Sequence, residues 1–360
     1  MQNNSSLSFT MRVLISIAAV GLALMFIREG ADLISSLFLA WIIVLVASPL
    51  LHWLVDKGAP VWLAFGLTLV AILATFVAFS LVLVVAVDRF IEEIPQYAGE
   101  IENAIEEFQE SLSSLGLINA ESDSLFTYIN PEQLLSALGT FISGLFGTVS
   151  NLLLLGLLII FLLLDAFNAP EKLADEIKAG NTYLERYFQV SESLRKYIII
   201  TTIVGLTTGV LDVLWFILLG VSFPVLWGIL AFLMSYIPTL GFWLAAIPPT
   251  LLALLESGPL NAALVFFGIV LINGFAENVV KPKYMGEGLN LSPFMVIFSV
   301  IFWAAVLGPL GAILGLPMTL MFKEVVLEAD DQNRWIARLM SSKESKDEPE
   351  EESEREVESG

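Results

Sequence analysis

Two apolar stretches in the second half of the chain are each broken in the middle by glycine and proline. The first runs from Phe223 to Leu255 and is interrupted at Ile237-Pro238-Thr239-Leu240-Gly241. The second runs from Ser292 to Val326 and is interrupted at Leu307-Gly308-Pro309-Leu310-Gly311. Both open with a proline (Pro224, Pro293), and each carries another beyond its break glycines (Pro248, Pro317). Hydrocarbon offers no water to backbone amides, so a non-helical break at that depth survives only when buried in protein or lining a cavity. Broken helices in corresponding positions of two halves point to a transport site near the bilayer midplane.

Composition supports a membrane setting. The 360 residues are 57% hydrophobic and 15% charged, where a soluble chain is about a quarter charged. The expected class is therefore an all-α polytopic membrane protein. The net charge of −20 at pH 7 is concentrated between Asp88 and Glu132 and in the tail after Lys343. Nucleic acid is excluded as a partner, since it needs a basic face. The chain has no cysteine, so disulfides, thiolate metal sites and cysteine nucleophiles are ruled out. His52, the single histidine, reads as an interfacial side chain rather than a metal ligand. A phosphate-binding Gly-rich Lys-Ser/Thr loop and Ser/Lys or paired-Asp motifs are also missing, so we expect no enzyme, no cofactor and no metal.

Continuous spans are expected at about 11–28, 32–54, 60–87, 145–167, 196–219 and 260–280, and the two broken elements bring the hydrophobic units to eight. Val13–Ile27 follows a single cation, Arg12, and no cleavage site follows it, so it reads as a retained span rather than a signal peptide. The chain divides into N-terminal scaffold spans (1–87), an external segment (88–144), a fourth span with a basic loop (145–195), a transport unit (196–327) and an acidic tail (328–360). Lys172, Lys178, Arg186, Arg195 and Lys196 place the 165–196 loop in the cytoplasm, and both termini with it. Residues 88–146 hold Arg89 against eleven acids and belong outside. There, Ile94, Tyr97, Ile101, Ile105, Phe108, Leu112 and Leu115 recur at helical spacing. Asn130-Pro131-Glu132-Gln133 reads as a second helix start. This pair is either a solvated hairpin or an oligomer contact. Residues 344–360 are too polar to fold.

Each broken stretch can cross the membrane once or enter, turn and leave on the same side. Single crossings put Lys281-Pro282-Lys283 outside; hairpins put them inside, as the charge rule prefers. With hairpins, residues 196–256 and 260–327 become two units of opposite orientation. That is an inverted repeat, from which alternating access follows.

Polar groups mark the candidate site. Thr201, Gly205, Thr208 and Asp212 share one helical face. An acid within a span is a functional candidate by default; the alternative is an Asp212 bonded to Thr208 near the interface. Asn273, Glu277 and Lys281 form a second stripe beside Asn278. Glu277 either binds a proton, cation or solute, or pairs structurally with Lys281. The backbone freed at Pro238, Thr239 and Gly241, and at Gly308, Pro309 and Gly311, suits sugar-like hydroxyls or a small cation. Tyr236 and Trp303 are candidates to line the same place.

At these residues the chain resembles the autoinducer-2 exporter family of bacterial membrane proteins. The family's Ile-Pro-x-x-Gly break and following Ile-Pro appear as Ile237–Gly241 and Ile247-Pro248. Its Glu-Asn-x-x-x-Pro-Lys-x-x-Gly stretch appears as Glu277–Gly286, followed by Leu289–Pro293. Its closing elements appear as Phe302-Trp303, Gly308–Gly311 and Pro317-Met318-Thr319, and the end of its fourth span as Leu162–Asp165. The resemblance implies a homo-oligomeric, pentameric carrier of the inner membrane, in which a transport unit moves against a scaffold. Its expected partners are the lipid bilayer, copies of itself, and a small polar solute such as autoinducer-2 or a monovalent cation exchanged for protons. With no nucleotide site, a gradient must drive it through Asp212 or Glu277. A solute exporter is the first expectation, a cation/proton antiporter the second, and a non-transporting scaffold the third.

Overall fold

A computed structural model of the chain describes residues 9–97, 152–172, 182–285, 291–328 and 334–341, with positions 99, 136, 139 and 140. Its regular elements are all helical: α1 (Phe9–Glu29), α2 (Ala31–Asp56), α3 (Val61–Glu93) ending in a 3-10 turn (Ile94–Tyr97), α4 (Leu152–Lys172), α5 (Thr182–Leu219), α6 (Pro224–Met234), α7 (Leu240–Phe275), α8 (Lys281–Met285), α9 (Pro293–Met321) and α10 (Arg334–Met340). Wide π turns occupy Ala276–Val280 and Phe322–Leu327. Five stretches, Ala31–Asp56, Val61–Glu93, Arg186–Leu219, Leu240–Tyr284 and Pro293–Leu327, are long and apolar enough to cross a membrane. The large apolar side chains left exposed along them, such as Leu81, Leu218 and Leu271, suit a lipid-facing surface. The external amphipathic helix beyond Tyr97, the helix start at Asn130, the part of the 328–360 tail beyond residue 341 and Gly286 of the Glu-Asn stretch lie outside the described residues.

Both broken stretches double back. The end of α6 and the start of α7 meet at Met234 and Gly241, where the missing Cβ of Gly241 lets the chain pass against the Met234 carbonyl. At the other end of this hairpin the Ser222 amide donates to Glu256 Oε2 at 3.2 Å. Helix α9 reverses at Gly308 (φ 73°, ψ −157°). Trp303 Nε1 donates to Thr319 Oγ1 at 2.9 Å, although sixteen residues of straight helix would hold them about 24 Å apart. A Cβ on Gly315 would lie 3.1 Å from the Ser299 carbonyl, so the two arms touch backbone to backbone. Both first arms begin with proline at their opening turn, and Ser292 caps α9 by accepting from the Met295 amide at 3.3 Å. Proline is preformed for that position and gives up an amide that would be orphaned anyway.

Helix α7 has a second reversal, at Gly258 (φ 81°, ψ −178°). Beyond it the chain runs antiparallel along α5: Asn261 Nδ2 donates to the Leu219 carbonyl and Trp215 Nε1 to the Leu264 carbonyl, both at 3.2 Å. Helices α5 and α6 pack so closely that a Cβ on Gly209 would sit 2.6 Å from the Gly228 carbonyl. Gly205-Leu206-Thr207-Thr208-Gly209 is thus a small-residue seam of the kind that draws membrane helices together.

Three apolar clusters organise the rest. One joins α2, α3 and α4 around Leu51, Ile159 and Leu163. A second joins α3 to the first hairpin around Phe90, Trp227 and Ala253. A third joins α2 and the start of α5 to the second hairpin and α10 around Leu194, Tyr197 and Leu314. This last cluster explains a departure from the sequence reading. Helix α5 begins at Thr182, within the segment read as a cytoplasmic loop, because Val190, Leu194 and Tyr197 recur at helical spacing and bury themselves there.

Gly308 sits in a region of backbone space that is essentially glycine-only. Gly308→Ala is expected to lower the unfolding free energy by about 1–3 kcal/mol, read as an earlier thermal transition in detergent. Gly21→Ala, at a position with open space around it, should leave the transition in place.

Candidate functional site

At the first break the strained residue is a threonine. Thr239 takes φ 65° and ψ −57°, a conformation that is an outlier for a β-branched side chain. The turn meets its own hydrogen-bonding needs: Ile237 donates to the Met234 carbonyl at 2.9 Å, Leu240 to Pro238 at 2.7 Å and Gly241 to Ile237 at 2.9 Å. Tyr236 leaves the turn to share a 2.6 Å hydrogen bond with Thr202 of α5. It also packs in the same cluster as Trp303, Leu307 and Leu310 of the second hairpin. The two breaks therefore contribute to one apolar cluster.

The two predicted polar stripes meet. Asp212 and Thr201 are 0% exposed and Thr208 is buried beside them. Asn273, reaching from the second limb of α7, donates through Nδ2 to Asp212 Oδ2 at 3.1 Å and to its own Ile269 carbonyl at 3.2 Å. Among the described residues, Asp212 Oδ1 has no hydrogen-bond partner, and neither has Thr201 Oγ1. Thr208 bonds the Gly205 carbonyl at 2.9 Å rather than Asp212. Asp212 is therefore held across the helix interface by Asn273, not by the turn of its own helix.

Glu277 and Asn278 lie elsewhere. The π turn carries them to the exposed side, where Asn278 donates to the Gly274 carbonyl at 2.9 Å. Glu277 receives Lys281 Nζ on both oxygens at 3.0 Å, the structural pairing that sequence left open. At the second break, Pro309 follows the reversal, Gly311 passes against the Trp303 carbonyl, and the Trp303 indole is committed to Thr319. His52 is exposed, with Nδ1 2.8 Å from the Ser48 carbonyl and its ring against Phe167.

Sequence reasoning placed Lys281 in a polar stripe without foreseeing its burial, and did not single out Lys323. Lys281 is 7% exposed and Lys323 is 0% exposed. Lys323 pairs with Glu324 at 3.3 Å and Glu328 at 3.1 Å, while Arg186 donates to the Glu328 carbonyl. Both lysines sit at π turns, which no residue pattern announced. The Gly205–Gly209 seam, by contrast, was available as a motif. A cavity of about 210 Å³ opens away from Asp212, between Trp41 and Ser48 of α2, Leu162 and Asp165 of α4, and Tyr187 of α5.

Removing a donor from a buried acceptor costs more than removing both partners, about 1–3 kcal/mol against near neutrality. Asn273→Leu should therefore destabilise by about that amount, and adding Asp212→Leu should recover most of it. Thermal unfolding of the single and double variants checks this coupling.

The AI-2E family transporter profile matches residues 14–330. The chain is 31% identical over 336 residues to the AI-2 transport protein TqsA of Escherichia coli (strain K12), covering 92% of this chain and 96% of that one. It is 28% identical over 313 residues to YhhT of the same organism, covering 87% and 89%. A Haemophilus influenzae protein is 30% identical over 347 residues, covering 94% and 98%. Helices that are apolar on their exposed faces, polar residues buried between them, and these matches over nearly its whole length agree with one another: the chain is a multi-pass membrane transporter, not an enzyme, and belongs to the AI-2E transporter family.

Proposed function

We propose that this protein exports a small polar solute, an AI-2-like signalling molecule, across a bacterial inner membrane by alternating access. The observation that carries this reading is a pair of hairpins, folded back at Ser235–Thr239 and at Gly308, in the same half of the chain as a buried Asp212–Asn273 contact. On this reading residues 196–256 and 260–327 form an inverted repeat whose hairpins are re-entrant, and both termini are cytoplasmic. Exchange of conformation between the halves opens the site to alternate sides, with the unit moving elevator-like against the scaffold of α1–α4. The name of TqsA supports the solute class. The protein is taken to work as a homo-oligomer, with five copies as the expected number.

A gradient drives the movement, and Asp212 is the residue to couple it. Its carboxyl is fully buried with Oδ1 unpartnered, and a carboxylate in that position needs a proton, a cation or a solute hydroxyl to complete it. Glu277, partly exposed and held by Lys281, is less suited to the task. The same observation favours a second reading, exchange of a monovalent cation for protons.

Liposomes containing the full chain and a trapped pH indicator, challenged with Na+, K+ or Li+ gradients and then loaded with furanone-type signal molecules, separate the two. Export predicts protein-dependent release of the loaded molecule with no cation response. In Asp212→Asn that release should fall by about tenfold or more, a loss of about 1.4 kcal/mol or greater in the driving step. Cation-driven proton movement lost in Asp212→Asn would make the protein an antiporter. Wild-type flux in that variant would exclude Asp212 from coupling.

A further inference from the structure

The Glu277–Lys281 pair has a third member. Lys281 Nζ lies 3.4 Å from the Ser235 carbonyl, forty-six residues away in sequence, as well as 3.0 Å from both Glu277 oxygens. Ser235 ends α6, and its carbonyl is one of the last four of that helix, which have no partner within it. The aligned dipoles of α6 make that end partially negative, a favourable seat for an ammonium. The turn that begins there contains the strained Thr239.

We infer that Lys281 is a positioning residue for transport: its ammonium caps α6 and pins the tip of the first hairpin to the second half of the molecule. Three observations converge on this role. Lys281 is buried while its partner Glu277 is exposed, so the lysine points inward toward the tip and the glutamate neutralises it from outside. The π turn at Ala276–Val280 precedes Lys281 directly, and a wide turn of this kind shifts the helical phase that follows it. A threonine at positive φ persists only where its surroundings over-determine it, and Lys281 supplies a restraint from another element. The contact spans both units of the proposed repeat, so closing or releasing it changes how the tip sits without touching Asp212. The inference deepens the transport reading and rests on it for its functional meaning; the contact itself can be tested without a transported solute.

The chain has no native cysteine, and Thr239 is exposed at the tip, so Thr239→Cys in the full chain gives a single reporter. Its reaction with a membrane-impermeant maleimide is followed in open membrane sheets, where both faces are reachable. Lys281→Met should speed labelling by about tenfold by letting the tip open locally. Lys281→Arg, which keeps a cation at the carbonyl, should restore the slow rate. The exchange Glu277→Lys with Lys281→Glu keeps an i,i+4 ion pair but moves the cation off Ser235, and it should label as fast as Lys281→Met. An unchanged rate in Lys281→Met, a fast rate in Lys281→Arg, or a slow rate in the exchange would each overturn the assignment. The last result would reduce the contact to a surface ion pair. Labelling depends on tip geometry alone, so failure of the solute assay would leave this result standing, and the reverse.

Discussion

A chain that reverses direction among apolar helices must satisfy its own backbone, and that constraint shapes this molecule. At the first reversal three short hydrogen bonds among Met234, Ile237, Pro238, Leu240 and Gly241 close the turn, and Lys281 takes up the carbonyl at the end of α6. Gly308 completes the second reversal in one residue by adopting a backbone conformation closed to other side chains. Gly258 uses the same conformation to turn α7 back along α5. Each reversal keeps irregular backbone to a few residues, as an environment without water demands.

Packing then follows from the reversals. Once α6 and the first limb of α7 lie antiparallel, the seam at Gly205 and Gly209 lets α5 approach them to backbone contact. The second limb of α7 also runs along α5 and brings Asn273 to Asp212. Little of the hydrophobic effect is available between helices that lipid could solvate equally well, so close contact of small residues and interhelical hydrogen bonds carry the association. The same geometry buries Asp212 and leaves one of its oxygens without a partner among the described residues. On the proposed reading, that oxygen is the one offered to a ligand.

Much of the molecule was legible from the residues. The apolar runs located the helices, because hydrocarbon leaves helix as the one local solution for a single chain segment. Pro224 and Pro293 marked the starts of both first arms, and the face that Thr201, Thr208 and Asp212 share is a buried one. Thr239 was named within its break, but nothing in the residue pattern said that it, and not Gly241, takes the positive φ. The start of α5 was missed because its first turns are polar enough to read as a loop; only burial of Val190 and Leu194 against the second hairpin reveals its packed face.

Sequence alone determined a helical membrane chain, two interrupted elements, and acids within its spans, since these follow from local polarity and from what glycine and proline do to a backbone. Tertiary structure decided the partners. Asp212 and Asn273 are 61 residues apart, and Lys281 and Ser235 are 46 apart; periodicity along one helix cannot say which face of another it will meet. Tertiary structure also decided on which side Glu277 lies, because the π turn at Ala276–Val280 changes the helical phase in a way that composition and spacing do not encode.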